Sequence, residues 1–206
     1  MKDVLLISTA TFGIQAFVTL FVIMDPPGAT PIFLALVKNQ PLRKRVLMAW
    51  QGAGVSLVVI ITFAIFGKFI LDYLQISIEA LQGAGGLLLL LIALELLTGK
   101  DSSSDEHKDV NVALVPLGTP LLAGPGAIVT TIVFVENAAT IEMKLALGAA
   151  IVAVHIAIGL TLMFSTKIVG LIKVSGVTLI ARIAGLLLAA IAVEMIVQSI
   201  KGFFQF

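Results

Sequence analysis

The sequence predicts an all-α membrane protein of six transmembrane helices, arranged as two inverted-topology repeats of three, with the first and fourth helices discontinuous. Three observations carry that prediction. Of the 206 residues, 59% are hydrophobic and 12% are charged, against roughly 45–50% apolar and about 25% charged in soluble domains. Two long apolar stretches are each interrupted by a Pro/Gly cluster, "MDPPGATP" at 24–31 and "LLAGPGAI" at 121–128. The chain also matches itself when displaced by 99 residues.

A helix needs about 20 apolar residues to cross ~30 Å of hydrocarbon. The first stretch, Val4 to Val37, would be roughly 51 Å long as one straight helix, too long for a single span. Consecutive prolines remove backbone donors and clash with the preceding turn, so the helix breaks at Asp25-Pro26-Pro27. The opening resembles a signal peptide in its lone lysine and apolar run. That run is too long, however, and no small-residue cleavage site follows, so the segment is expected to be retained. Val46 to Gly67 and Ala80 to Leu97 are the second and third spans. The polar, Ser-rich run "GKDSSSDEHKD" at 99–109 then reads as a flexible linker. Val110 to Asn137, about 42 Å if straight, breaks at Gly124-Pro125-Gly126, and Leu145 to Thr166 and Thr178 to Ile200 complete the set. The expected organisation is a first repeat at 1–99, a cytoplasmic linker at 100–109, and a second repeat at 110–206.

Lysines and arginines set the orientation. With the N-terminus outside, Lys38, Arg43, Lys44, Arg45, Lys100, Lys108, Lys167, Lys173 and Arg182 lie inside, and only Lys2, Lys68, Lys144 and Lys201 lie outside. That asymmetry predicts a multi-pass membrane protein with both termini outside.

The repeat is specific. At an offset of 99, "GLLLLLIALE" (Gly86 to Glu95) falls on "GLLLAAIAVE" (Gly185 to Glu194) with seven of ten positions identical, and Lys68 falls on Lys167. At an offset of 98, Pro27-Gly28-Ala29 falls on Pro125-Gly126-Ala127, so the two breaks correspond. Three spans is an odd number, so the second copy enters the membrane from the opposite face. Inverted repeats with paired interrupted helices point to secondary transporters whose sites lie at the breaks.

The downstream half-helix at a break offers unpaired N–H groups and a positive dipole end, which suit a carboxylate. The upstream half-helix offers carbonyls, which suit an ammonium group or a cation. Two facing breaks therefore suit a zwitterion, and a small amino acid is the natural substrate. Pro26, Pro27, Gly28, Ala29, Thr30, Pro31, Gly124, Pro125, Gly126 and Ala127 have small or compact side chains that let backbone approach a ligand closely, and they are the expected substrate contacts.

Asp25 is the candidate coupling group. An ionised carboxylate at membrane depth costs at least ~2.5–3.5 kcal/mol, so its presence implies a coupling role, a bond to the substrate ammonium, an N-cap on the second half-helix, or a combination. Its counterpart is Ala123, which makes the charge chemistry of the breaks asymmetric. Glu95 and Glu194 lie late in their helices, where the dipole disfavours them. Two structural ion pairs are expected, Lys68 with Glu194 and Lys167 with Glu95. His155 fits either a hydrogen bond to a neighbouring helix, the commoner role, or a proton relay. Gln15, Thr19 and Thr119 read as polar links between helices.

Several classes are excluded or disfavoured. There is no cysteine, hence no disulfide or thiolate metal site, and a net charge of +1 cannot support nucleic-acid binding. The sequence contains no H-E-x-x-H or G-x-S-x-G and no pair of intramembrane aspartates, so no enzyme, cofactor or metal site is expected. A passive channel and a multidrug or other small-solute exporter remain as rivals. With one Trp and one Tyr and small residues at the breaks, the site looks too tight for a drug.

"DPPGATPIFLAL" (25–36), "GAGGLLLLLIALELLTG" (83–99) and "PLGTPLLAGPGAI" (116–128) resemble the MarC family of bacterial and archaeal inner-membrane proteins over nearly the whole chain. The resemblance implies six spans, both termini outside, and transport of small neutral amino acids such as glycine and alanine, coupled to H+ or else Na+. It carries over Pro27, Gly28 and Pro31 in the first motif and Pro125 and Gly126 in the second. Val129 stands where Pro31 stands in the first motif. The partners implied are the amino acid, the coupling ion and the bilayer, and an oligomer is compatible with all of them.

Overall fold

A computed structural model describes residues 9–37, 40–98 and 123–204, which form helices and no strand. The helices are α1 (Thr9–Met24), α2 (Pro26–Leu36), α3 (Leu42–Leu74), α4 (Ile78–Thr98), α5 (Pro125–Asn137), α6 (Ile141–Met163) and α7 (Ser165–Phe204). Among the described residues, five stretches are long and apolar enough to cross a membrane: Thr9–Thr30, Leu42–Leu74, Ile78–Thr98, Ile141–Met163 and Thr178–Phe204. Pro125–Asn137 is a shorter apolar helix. The segment 110–122 upstream of it, Thr119 included, and the linker at 100–109 lie outside the described residues.

Two helices exceed the expected spans. α3 runs for 33 residues. It starts behind Pro41, whose carbonyl accepts from the N–H groups of Lys44 and Arg45 at 2.9 and 3.1 Å, and it stops at Gln75 in the left-handed region, φ 55°. α7 runs for 40 residues and begins one residue after α6 ends, where a separate sixth span from Thr178 was expected. The stretch from Ser165 to Val177 contains glycines but no proline, so helix is locally allowed there. α6 is capped at its start by Thr140, whose Oγ1 accepts the Met143 N–H at 3.3 Å. Thr140→Ala should cost about 0.5–2 kcal/mol, read as a lower unfolding temperature in detergent; an unchanged temperature would mean the cap carries no stability.

Two packing groups make up the interior. One joins α1, α2, α3 and α6, with Leu20, Phe33, Ile60, Val154 and Ile158 wholly buried. The other joins α4, α5 and α7 through Leu89, Ala93, Val129, Leu188 and Ala192. Ile23, near the end of α1, packs against both. In lipid there is no hydrophobic drive between helices, so small residues and hydrogen bonds set the approach. α4 and α7 cross antiparallel in this way. Gly86 lies against the Ala192 carbonyl and Ile196, Gly185 against the Ala93 carbonyl and Leu97, and Ser199 donates to the Glu79 carbonyl at 2.7 Å. α3 and α6 are also antiparallel, with Trp50 over Gly159 and, farther along, Ser56 bonded to His155. Large apolar side chains such as Ile65, Phe69, Leu145 and Leu186 face outward, as acyl-chain contact requires.

Candidate functional site

The first Pro/Gly cluster interrupts the helical ladder at one residue. The Asp25 N–H still donates to the Phe21 carbonyl at 3.1 Å, closing the last turn of α1. Asp25 itself sits at φ 37°, ψ 65°, in the left-handed region. The residue before a proline is driven out of the right-handed helical region, and Asp tolerates the left-handed one better than most, at about 1–2 kcal/mol. Pro26 and Pro27 then occupy the first turn of α2, where missing N–H groups cost nothing. The Asp25 Oδ1 accepts the Gly28 N–H at 3.2 Å, its carbonyl accepts the Ala29 N–H at 3.0 Å, and Thr30 donates to the Pro26 carbonyl at 3.1 Å. Gly28 is required here by close approach: a Cβ would sit 2.7 Å from the Asp25 carboxyl carbon. The N-cap role of Asp25 is therefore present. Asp25 as a residue is half-buried.

The second Pro/Gly cluster opens α5 and is built differently. Gly124, at φ −61°, ψ 162°, caps α5 with no side-chain bond, and its carbonyl accepts from Ala127 and Ile128 at 3.0 and 3.2 Å. Pro125 takes the first helical position. Gly126 lies against Leu89 and against Ile23, whose Cγ2 is 3.5 Å from where a Cβ would stand. Ile23 is two residues before Asp25, so the two Pro/Gly clusters meet in the interior. Ala123 and Ala127 share one apolar cluster with Met24 and Ala29. Val129 does the packing that a proline would not, filling the space beside Gly85. Pro31 continues α2.

The ion pairs fall out differently from the sequence expectation. Lys68 pairs with Glu136 at 2.6 Å and not with Glu194, which accepts from Gln198 at 3.0 Å. The reason is helix adjacency: Gly67 lies against Ile132 of α5, which brings Lys68 to Glu136, one turn beyond Ile132. Lys167 lies over the Phe164 ring, 5.7 Å from its centroid, and Glu95 is exposed on α4.

His155 does bond a neighbouring helix: Ser56 Oγ is 3.1 Å from Nε2. Sequence reasoning found no partner for this histidine, although a signal was present, because the two positions differ by the repeat offset of 99. A cavity of about 800 Å³ lies away from the breaks, on the outer surface between α3 and α6, lined by Ala64, Gly148, Ala149 and Val152 with Lys144 at one end.

The profile described as MarC family integral membrane protein matches residues 10–204. A UPF0056 membrane protein of Methanocaldococcus jannaschii is 37% identical, covering 93% of this chain and 97% of its own. UPF0056 membrane protein YvbG of Bacillus subtilis is 34% identical over 94% and 96% of the two chains. UPF0056 membrane protein YhcE of Escherichia coli is 32% identical over 91% of each. No solved structure matches the chain.

Proposed function

Because the chain belongs to the MarC family of integral membrane proteins, we propose that it is a secondary transporter, not an enzyme, that carries small neutral amino acids such as glycine or alanine across the cell inner membrane. The observation that carries this reading is the meeting of two unlike helix breaks, with Gly126 against Ile23. One break presents the half-buried Asp25 and the end of α1; the other presents the start of α5 with no side-chain cap. The first suits an ammonium group and the second a carboxylate, so a zwitterion with little or no side chain complements both.

The contacts support an inverted repeat. Gly86 meets Ala192 and Ile196, and moving each partner by 99 residues gives the other observed set, Gly185 with Ala93 and Leu97. A repeat whose contacts interchange in this way suits alternating access, in which the halves exchange roles around a fixed site. The coupling ion is H+, with Na+ as the alternative, and both termini face outward.

The test is uptake of radiolabelled glycine or alanine into proteoliposomes under an imposed pH gradient. Accumulation by the wild type that Asp25→Asn abolishes is the expected result. No accumulation or exchange of any small amino acid, under proton or sodium gradients, would overturn the reading.

A further inference from the structure

Ser56 and His155 are 0% and 3% exposed, and the site at the breaks uses neither. His155 Nδ1 lies 2.7 Å from the Ile151 carbonyl. A carbonyl only accepts, so Nδ1 carries a hydrogen, and Nε2 faces the Ser56 hydroxyl, which donates to it when it is bare and accepts from it when it is protonated. Nδ1 is thus committed to its carbonyl, and Nε2 is the ring atom at which a proton can add or leave.

Among the described residues, no ion pair to His155 or Ser56 is present. α6 packs against α1, α2, α3, α5 and α7. α1 and α2 contain no ionisable residue, and the turn between them adds Asp25, which caps Gly28. On α3 the charges nearest Ser56 are Arg45 and Lys68, and those nearest His155 along its own helix and into α7 are Lys144 and Lys167. Each lies eleven or twelve residues away, roughly 16–18 Å along a helix. Lys44 is likewise twelve residues from Ser56, and Asp72, Tyr73, Glu142 and Arg43 are farther still along α3 and α6. Glu136 of α5 is taken by Lys68, and α7 also carries Lys173, Arg182, Glu194 and Lys201.

We infer that His155 carries the coupled proton, taken up at Nε2, with Ser56 holding the ring in place. The inference rests on the transport reading above and leaves Asp25 to bind the substrate ammonium. One proton adds to Nε2, giving an imidazolium. The new Nε2–H donates to Ser56 Oγ, and the hydroxyl hydrogen turns to the carbonyl of Gly52, four residues back. The bond between His155 and Ser56 is kept with its direction reversed. The i−4 bond that Ser56 adopts is already made by Thr62 to Val58 and by Thr161 to Ala157, at 2.7 and 2.8 Å.

Position supplies the second argument. Two residues related by the repeat offset touch each other only where the exchange axis passes between them. An axis in the membrane plane keeps the pair at one depth whichever half faces out, so the same nitrogen is loaded from one side and emptied to the other. Ser56 acts as a positioning residue.

The experiment uses the full chain in nanodiscs and proteoliposomes. His107→Gln leaves His155 as the only histidine, and its ¹⁵N-labelled ring is followed by NMR. The expected spectrum shows the Nδ1–H tautomer at neutral pH, conversion to imidazolium on acidification, and a displaced midpoint in Ser56→Ala. In transport, His155→Gln keeps both hydrogen-bonding edges without titrating, so it should retain glycine counterflow and lose pH-driven accumulation, whereas Asp25→Asn loses both. A ring that stays neutral wherever the protein remains folded, or a His155→Gln protein that accumulates glycine as the wild type does, overturns the inference. Absence of counterflow in the wild type sinks the transport reading instead, and the NMR titration still decides proton uptake.

Discussion

Replacing Gly126 with valine is expected to abolish transport and to destabilise the fold by about 1–3 kcal/mol, while Gly148→Ala leaves transport unchanged and raises stability by up to about 1 kcal/mol. A Cβ at 126 would stand 3.1 Å from Leu89 Cγ and 3.5 Å from Ile23 Cγ2, and nearer still to a Leu89 methyl. Leu89 is wholly buried, so its methyl groups have nowhere to turn, and the strain falls on the gap between the two breaks. At Gly148 nothing lies within 4 Å. Thermal unfolding in detergent and glycine counterflow read the two effects separately. A Gly126→Val protein that folds and exchanges glycine normally would mean that substrate does not pass between the breaks.

The second large effect lies at the α4–α7 crossing, where the two repeat-related glycines should respond unequally. A Cβ on Gly86 would meet the Ala192 carbonyl at 2.8 Å and Ile196 Cγ1 at 2.7 Å. On Gly185 it would meet Leu96 Cβ at 3.0 Å and the Ala93 carbonyl at 3.2 Å. Alanine gains up to about 1 kcal/mol of helix propensity over glycine. That gain roughly offsets the milder contact at 185 and falls short at 86, where the obstacle is backbone and only a shift of the whole helix relieves it. Gly86→Ala is therefore expected to lower the unfolding temperature and Gly185→Ala to leave it nearly unchanged, with Gly86→Val losing about 1–3 kcal/mol. The reverse order would contradict the crossing.

Much of this architecture is legible in the sequence because proline and hydropathy act locally. Pro26 and Pro27 forbid helix continuation whatever surrounds them, and the interruption falls at Asp25 as their chemistry requires. Asp before proline also announces its capping bond. What stayed hidden depends on which helices are neighbours. The offset of 99 relates Lys68 to Lys167 without saying that α3 lies beside α5, so Glu136 was not foreseen as the partner. The Ser56–His155 bond escaped because a search for matching residues finds Gly on Gly and Glu on Glu, whereas a pair straddling an axis matches by position and differs in type. The continuous course of α7 through the stretch before Thr178 was likewise not written in any single residue: two glycines permit either outcome, and tertiary packing decides.

The Lys68–Glu136 pair has a thermodynamic consequence. Two conformations that differ only by exchanging the roles of identical halves would have equal free energy. Equality fails wherever a contact at one end has no counterpart at the other. The positions answering to Lys68 and Glu136 are Lys167 and, at offsets of 98 and 99, Lys38 or Val37; two cations, or a cation and an alkyl group, form no such bond. In a transporter that alternates between two faces, the conformation holding this pair is the more populated when empty, and substrate arriving at the other face binds with an apparent affinity reduced by the fraction of molecules waiting there. Such a bias cannot make net flux run one way at equilibrium. In the proposed transport cycle it would favour one side of the membrane for the empty protein.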